Sequence, residues 1–187
     1  MTLLYLGLAI WWITHFLKRV APGLRTALDT KMGAGPAKGI ISVLILGSIV
    51  LMVLGYRAAP IEVIYDTPSW AGHLNNLAMI IAIALLGMGS SKGCARTWLR
   101  HPMLTGVVVW AGAHLLVNGD LASVLLFGGM AVWAIISILL ISTQEGKWDR
   151  PQAGPAKGDI KWLVISAVVF SVISGLHIWI GPSPFGA

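Results

Sequence analysis

Six apolar runs, each near the length of a bilayer crossing and separated by short basic segments, constrain this chain more than any other feature. They fall at about Thr2–Leu17, Ala37–Tyr56, Trp70–Gly89, Pro102–Val117, Leu121–Ser142 and Ile160–Ile180. A spanning helix needs ~20 mostly apolar residues, because each adds ~1.5 Å across a hydrocarbon core of ~30 Å. The first and fourth runs are short, so they must stand upright or let flanking polar side chains snorkel to the headgroups. None shows the period-two alternation of a lipid-facing barrel wall. The pattern predicts an all-α, polytopic integral membrane protein: a single transmembrane helical domain over residues 1–187, with six transmembrane helices. Composition agrees. With 57% hydrophobic and 11% charged residues, against about a quarter charged in soluble domains, the chain cannot cover its surface with polar groups. It is equally too apolar to stay disordered.

The basic residues set an orientation. Lys18, Arg19, Arg25, Lys31 and Lys38 follow the first run; Lys92, Arg96 and Arg100 follow the third; Lys147, Arg150, Lys157 and Lys161 follow the fifth. Only Arg57 falls on the other side, so twelve of thirteen cationic side chains share one face. The positive-inside rule makes that face cytoplasmic and puts both termini on the non-cytoplasmic side. The net charge of +6 then speaks to lipid headgroups and topology, with membrane lipids as partners and no nucleic acid. The first run has no basic residue before it and Lys18–Arg19 after it, the arrangement of a reverse anchor and not of a cleaved leader.

Turn chemistry places the connections. Asn118–Gly119–Asp120 is tight, with Asp120 positioned to cap the helix that follows. Arg57–Ser69, with Pro60 and Pro68, reads as an outer loop. The hexapeptide AGPAKG occurs at Ala34–Gly39 and at Ala153–Gly158, each time leading into an outward-going run. A duplicated hairpin and coincidence both account for it.

The chemistry available inside the runs is narrow. All seven acids lie in connections, which argues against a proton relay or an ion-coupled carrier. A single cysteine, Cys94, excludes an internal disulfide and a thiolate-held cluster. Cys94 lies beside Lys92 and Arg96, and reads as a structural or incidental thiol. Histidines remain: His15, His73, His101, His114 and His177. A polar ring in hydrocarbon is costly without a partner. A histidine near a span end can instead be solvated or bond a carbonyl, which is the plain account of His73 and His177. His114 is deep in its run among Ala111, Gly112 and Ala113, where small side chains admit either a neighbouring helix or a flat ligand. Several histidines, many Trp and Met and no buried acid suit a haem b held by two imidazoles from different helices better than zinc, which usually recruits a carboxylate or thiolate. On depth alone, His73 with His114 and His15 with His101 are competing pairs. Arg100–His101–Pro102 opens the fourth run, with Pro102 suited to a first helical turn. Its basic pair at a helix N-terminus fits an anionic group, or simply the topology rule.

Three segments carry a resemblance. RHPMLTGVVVWAGAHLLVNGDLASVLLFGGMAVWA (Arg100–Ala134), THFLKRVAPGLRTAL (Thr14–Leu28) and TPSWAGHLNNLAM (Thr67–Met79) resemble the NnrU family of bacterial membrane proteins, and the likeness extends over nearly the whole chain. It implies a multi-pass protein of the bacterial inner (cytoplasmic) membrane associated with denitrification, supporting nitrite or nitric oxide reduction. The family is also similar to plant zeta-carotene isomerase, a membrane enzyme that uses haem b. The resemblance to that relative puts its haem-ligating histidines, the metal ligands, at His15 and His114; it leaves His73, His101 and Arg100 as further cofactor-binding candidates. A cysteine one turn before the second ligand in that relative is Ala111 here, and Gln144–Gly158 departs from it, so neither ligand switching nor a carotenoid substrate carries over. The implied activity is that of a haem-dependent isomerase or oxidoreductase acting on a small apolar molecule. Two other classes remain. One is a non-catalytic assembly partner of a respiratory reductase, packing through Gly128–Gly129 and nearby small residues. The other is an S-adenosylmethionine-dependent methyltransferase, whose membrane members resemble this chain at the RHP motif but carry a later Glu- and Tyr-bearing motif that it lacks.

Overall fold

The computed structural model describes residues 1–181, 184 and 185. Among them the chain is helical, with an isolated Val63–Asp120 bridge in place of any strand. The helices are α1 (Thr2–Val20), α2 (Pro22–Met32), α3 (Ala34–Arg57), α4 (Ala71–Met88), α5 (Pro102–Val117), α6 (Leu121–Glu145) and α7 (Ala156–Ile180), with a short 3-10 turn at Ala95–Thr97. Four of them, α3, α4, α6 and α7, are long and apolar enough to cross a bilayer. The helices on the two short runs differ from these: α5 has 16 residues, about 24 Å of rise, and α1 ends on the polar residues His15, Lys18 and Arg19.

Several helices outrun the apolar segments that predict them. The third starts at Ala34, the seventh at Ala156, and the sixth continues to Glu145. Apolarity marks what lipid must cover, whereas backbone hydrogen bonding continues into the headgroup region, where side-chain polarity carries no penalty. The second helix, less apolar than the others and with no buried residue, lies wholly in what reads from sequence as a connection. Pro22 at its first turn and the Arg25–Asp29 ion pair at 3.0 Å, one turn apart, support it locally.

The chain divides into two compact units: Met1–Ile64 with Asp120–Gly129, and Tyr65–Gly119 with the residues from Met130 onward. In the first, α1 packs on α3, and α2 packs on both. Glycine makes the α1–α3 contact close. A Cβ at Gly55 would lie 2.2 Å from the Leu4 nitrogen, and one at Gly7 would lie 2.8 Å from the Met52 nitrogen and the Ser48 carbonyl oxygen. Leu4 and Ser48 are fully buried there. In lipid there is no hydrophobic drive between helices, so such backbone approach is the main source of association. The start of α6 joins this unit through a polar chain. Asp120 accepts from the Ser123 backbone N–H at 3.0 Å and from its hydroxyl at 2.6 Å. With the Ser123 proton so used, the Tyr56 hydroxyl donates to Ser123 Oγ at 2.9 Å. The cap expected of Asp120 is present, and Leu121 N–H donates to Glu62 O at 2.8 Å to hold the loop that follows α3 against it.

In the second unit α4 packs on α5 and on α7. Gly106 permits the first contact: a Cβ there would sit 3.0 Å from the Ala82 carbonyl oxygen. Leu85, Met88 and Ala95 form a buried cluster with Val109 and Trp162 against it. The loop after α4 is tied down by Asp159, which accepts from the N–H groups of Cys94 at 2.8 Å and Ala95 at 2.9 Å. The two AGPAKG copies do unlike work. Gly35 and Gly39 of the first face open space, whereas Gly154 donates to the Gly93 carbonyl at 3.1 Å and a Cβ at Gly158 would meet the Gly93 nitrogen at 2.4 Å.

Candidate functional site: the histidine-bearing helices

His15 belongs to the first unit. One turn back on α1, the Trp11 carbonyl accepts from its Nδ1 at 2.8 Å, and the Trp11 indole lies against the imidazole with ring centroids 4.1 Å apart. A carbonyl can only accept, so Nδ1 carries the proton and Nε2 the lone pair. The half-buried ring is thereby fixed in both tautomer and rotation.

His114 belongs to the second unit and repeats the arrangement. Its Nδ1–H donates to the Trp110 carbonyl at 2.9 Å, and the Trp110 ring is 5.2 Å away. The flanking Ala111 and Ala113 are buried, while a Cβ on Gly112 would meet nothing. Below it the end of α5 is closed by side chains: Asn118 donates to the His114 carbonyl at 2.8 Å, and the Tyr65 hydroxyl reaches the carbonyls of Leu115 and Asn118. These bonds serve acceptors that a helix C-terminus leaves open.

The other candidates occupy different settings in the second unit. His73 is exposed on the first turn of α4. Arg100 and His101 clip the start of α5 to the end of α6. His101 Nε2 pairs with Ser142 Oγ at 2.9 Å, and Arg100 donates to the Gly146 carbonyl and lies 3.6 Å from the Glu145 carboxylate. A cation there also complements the negative end of the α6 dipole. Pro102 stands at the first turn of α5, as the sequence predicts. His177 is exposed, and its Nδ1–H donates to the Ile173 carbonyl at 3.0 Å. Thus the structure brings His101 onto Ser142. Among the described residues no group of three or more His, Cys, Asp or Glu is gathered as a metal site. A haem needs only two protein ligands, and a neutral imidazole with its Nδ1–H on a carbonyl is the form that ligates iron. His15 and His114 fit that requirement individually.

Three features escape a residue-by-residue reading of the sequence. The W-x-x-x-H spacing occurs at Trp11–His15 and again at Trp110–His114, a signal legible in the sequence once the two are set side by side. The polar chain from Tyr56 through Ser123 to Asp120 joins residues 67 positions apart and leaves no local pattern. The start of α6 widens into a π-turn at Val124–Gly128, a distortion frequent at functional sites. Beside it is an open apolar recess of about 410 Å³ lined by Leu8, Trp12, Val124 and Leu125, with His15 one turn further along α1.

The family model for the NnrU protein matches residues 3–184. The chain belongs to the NnrU family. Both Trp–His units, the RHP segment and the π-turn lie inside the matched region. No curated protein and no solved structure matches the chain.

Proposed function

We propose that this NnrU-family protein is a haem b protein of the bacterial inner membrane, with six transmembrane helices and both termini on the non-cytoplasmic side. His15 and His114 would hold the haem iron. When bound, the haem would supply an iron able to change redox state, in support of nitrite or nitric oxide reduction or of an isomerisation like that of zeta-carotene isomerase. The observation that carries the reading is the repeated Trp–His unit: two half-buried imidazoles, each with Nδ1–H on the carbonyl one turn back. Trp11 and Trp110 keep the rings from rotating, and each carbonyl bond raises the basicity of Nε2. The open recess beside the π-turn is apolar, which suits contact with a small apolar substrate.

An absorption spectrum of detergent-purified protein from haem-replete cells tests this. A Soret band is expected in the wild type and in His177→Ala, and its loss in His15→Ala and in His114→Ala. A colourless, folded wild type would overturn the proposal. A band that survives either of the two substitutions would overturn the ligand assignment alone.

A further inference from the structure

The second unit carries a cleft of about 530 Å³ between α4 and α7. Its walls are apolar, formed by Ile83, Leu86, Ile165 and Val169, while Lys92 and Lys161 line one end. The cleft is held open by Trp162, whose Nε1–H donates to the Ala84 carbonyl at 2.8 Å and whose ring packs on Gly87. Both lysines are exposed, and among the described residues neither forms an ion pair. The carboxylate nearest in sequence, Asp159, is already engaged by two backbone N–H groups and by the Ser91 hydroxyl. Two unneutralised ammonium groups therefore stand over an apolar trough.

The geometry points to a binding site for one anionic phospholipid, with its phosphodiester between Lys92 and Lys161 and an acyl chain laid along α7. Length supports this. From Lys161 to Ile173, the far lining residue, the helix rises about 18 Å, close to the ~15 Å of hydrocarbon in one leaflet. Charge selects the headgroup, since a zwitterionic lipid would bring its own ammonium toward two others. Basic pockets between transmembrane helices on the cytoplasmic side recognise anionic headgroups in this way. The trough differs from ordinary lipid-exposed surface because its indole wall is fixed by a hydrogen bond, so a bound chain does not have to order that ring.

The test is native mass spectrometry of the full-length protein released from nanodiscs of equal phosphatidylglycerol and phosphatidylethanolamine. The wild type retains one phosphatidylglycerol. In Lys92→Gln/Lys161→Gln the ratio of retained anionic to zwitterionic lipid falls about thirtyfold, at roughly fivefold per lysine. The control Lys31→Gln/Lys147→Gln, which removes the same charge elsewhere, leaves it unchanged. Val169→Trp keeps both lysines and fills the trough, so it lowers retention of the lipid without altering charge, and it decides the matter should the double variant misfold by circular dichroism. Equal retention of the two lipids by the wild type, equal loss in the control, or full retention in Val169→Trp would each overturn the site. The readout is a lipid mass, so it stands or falls separately from haem binding.

Discussion

Replacing Gly55 by alanine tests whether close backbone approach holds the first unit together. The added Cβ would lie 2.2 Å from the Leu4 nitrogen and 2.8 Å from both Leu4 Cα and Leu3 C. All three are backbone atoms of α1, so no side chain can swing aside. Bringing the shortest contact to an ordinary distance of 3.4 Å requires α1 to withdraw by the difference from 2.2 Å, about 1.2 Å. Overpacking of this kind costs ~1–3 kcal/mol, with rigid neighbours at the upper end. Alanine returns ~0.5–1 kcal/mol as the better helix former. The net is a loss of about 2 kcal/mol, or a fall of roughly 4–8 °C in melting temperature for a chain of this length. Gly47→Ala is the internal control. It lies in the same helix, its Cβ would meet nothing within 4 Å, and only the propensity gain applies, so its melting temperature stays level or rises slightly. Melting in detergent, followed by intrinsic tryptophan fluorescence, measures both. Equal shifts in the two variants would refute the packing argument, because they differ only in what the new methyl group meets. Since α1 also carries His15, Gly55→Ala is expected to weaken haem retention while leaving both proposed ligands in place.

Helical architecture was legible in the sequence because hydrocarbon imposes a single dominant rule. Pro102–Val117 coincides with its apolar run at both ends, since proline and the Asn–Gly–Asp turn fix them chemically. The ends of α3 and α7 were less legible, since their first turns, at Ala34 and Ala156, are small and polar and carry no hydrophobic signal. The second helix escaped entirely for the same reason. What stabilises it is an Arg25–Asp29 pair and contact with α1 and α3, and neither is an apolar period.

The candidate site was legible in the identities of its residues and not in their settings. Arg100 and His101 read equally well as an anion site or as a helix boundary; the side chains engage the end of α6, and that contact spans 46 residues for Arg100 and 41 for His101. The anchoring of the Cys94 loop by Asp159 has the same character. From sequence Asp159 is one acid in a connection, and only the fold brings it onto two N–H groups 65 and 64 residues away. Local rules expose helices and caps, whereas long-range polar clips depend on a fold that no window of the sequence contains. His15 and His114 lie between these cases: the i,i+4 contact to tryptophan is local, and it repeats.

Asp120→Ala removes the acceptor of both Ser123 donors and leaves the Ser123 N–H uncapped and its fully buried hydroxyl with Tyr56 as its remaining partner, for a loss of about 2 kcal/mol on thermal melting. Tyr56→Phe costs about 1 kcal/mol, and the double variant loses less than the sum because all three groups share one network; strict additivity would show the chain to be two separate contacts. Asp159→Ala frees the N–H groups of Cys94 and Ala95, so maleimide labelling of Cys94 is expected to quicken severalfold; an unchanged rate would mean that Gly154 and Gly158 hold the loop by themselves. Orientation is tested with the same thiol. Cys94 and Ile61 are both exposed and lie in connections on opposite sides of one helix, α4, so they must lie across the membrane from each other if that helix spans it. In the proposed six-span topology twelve cationic residues share the Cys94 side and Arg57 alone the other, so the charge bias would put Cys94 in the cytoplasm. A membrane-impermeant maleimide applied to right-side-out vesicles is therefore expected to label Ile61→Cys in a Cys94→Ser background and to leave Cys94 of the wild type unlabelled, with the pattern reversed in inverted vesicles. Labelling of both from one side would show that α4 does not cross, and the opposite pattern would invert the assigned topology and move the proposed lipid site to the outer leaflet.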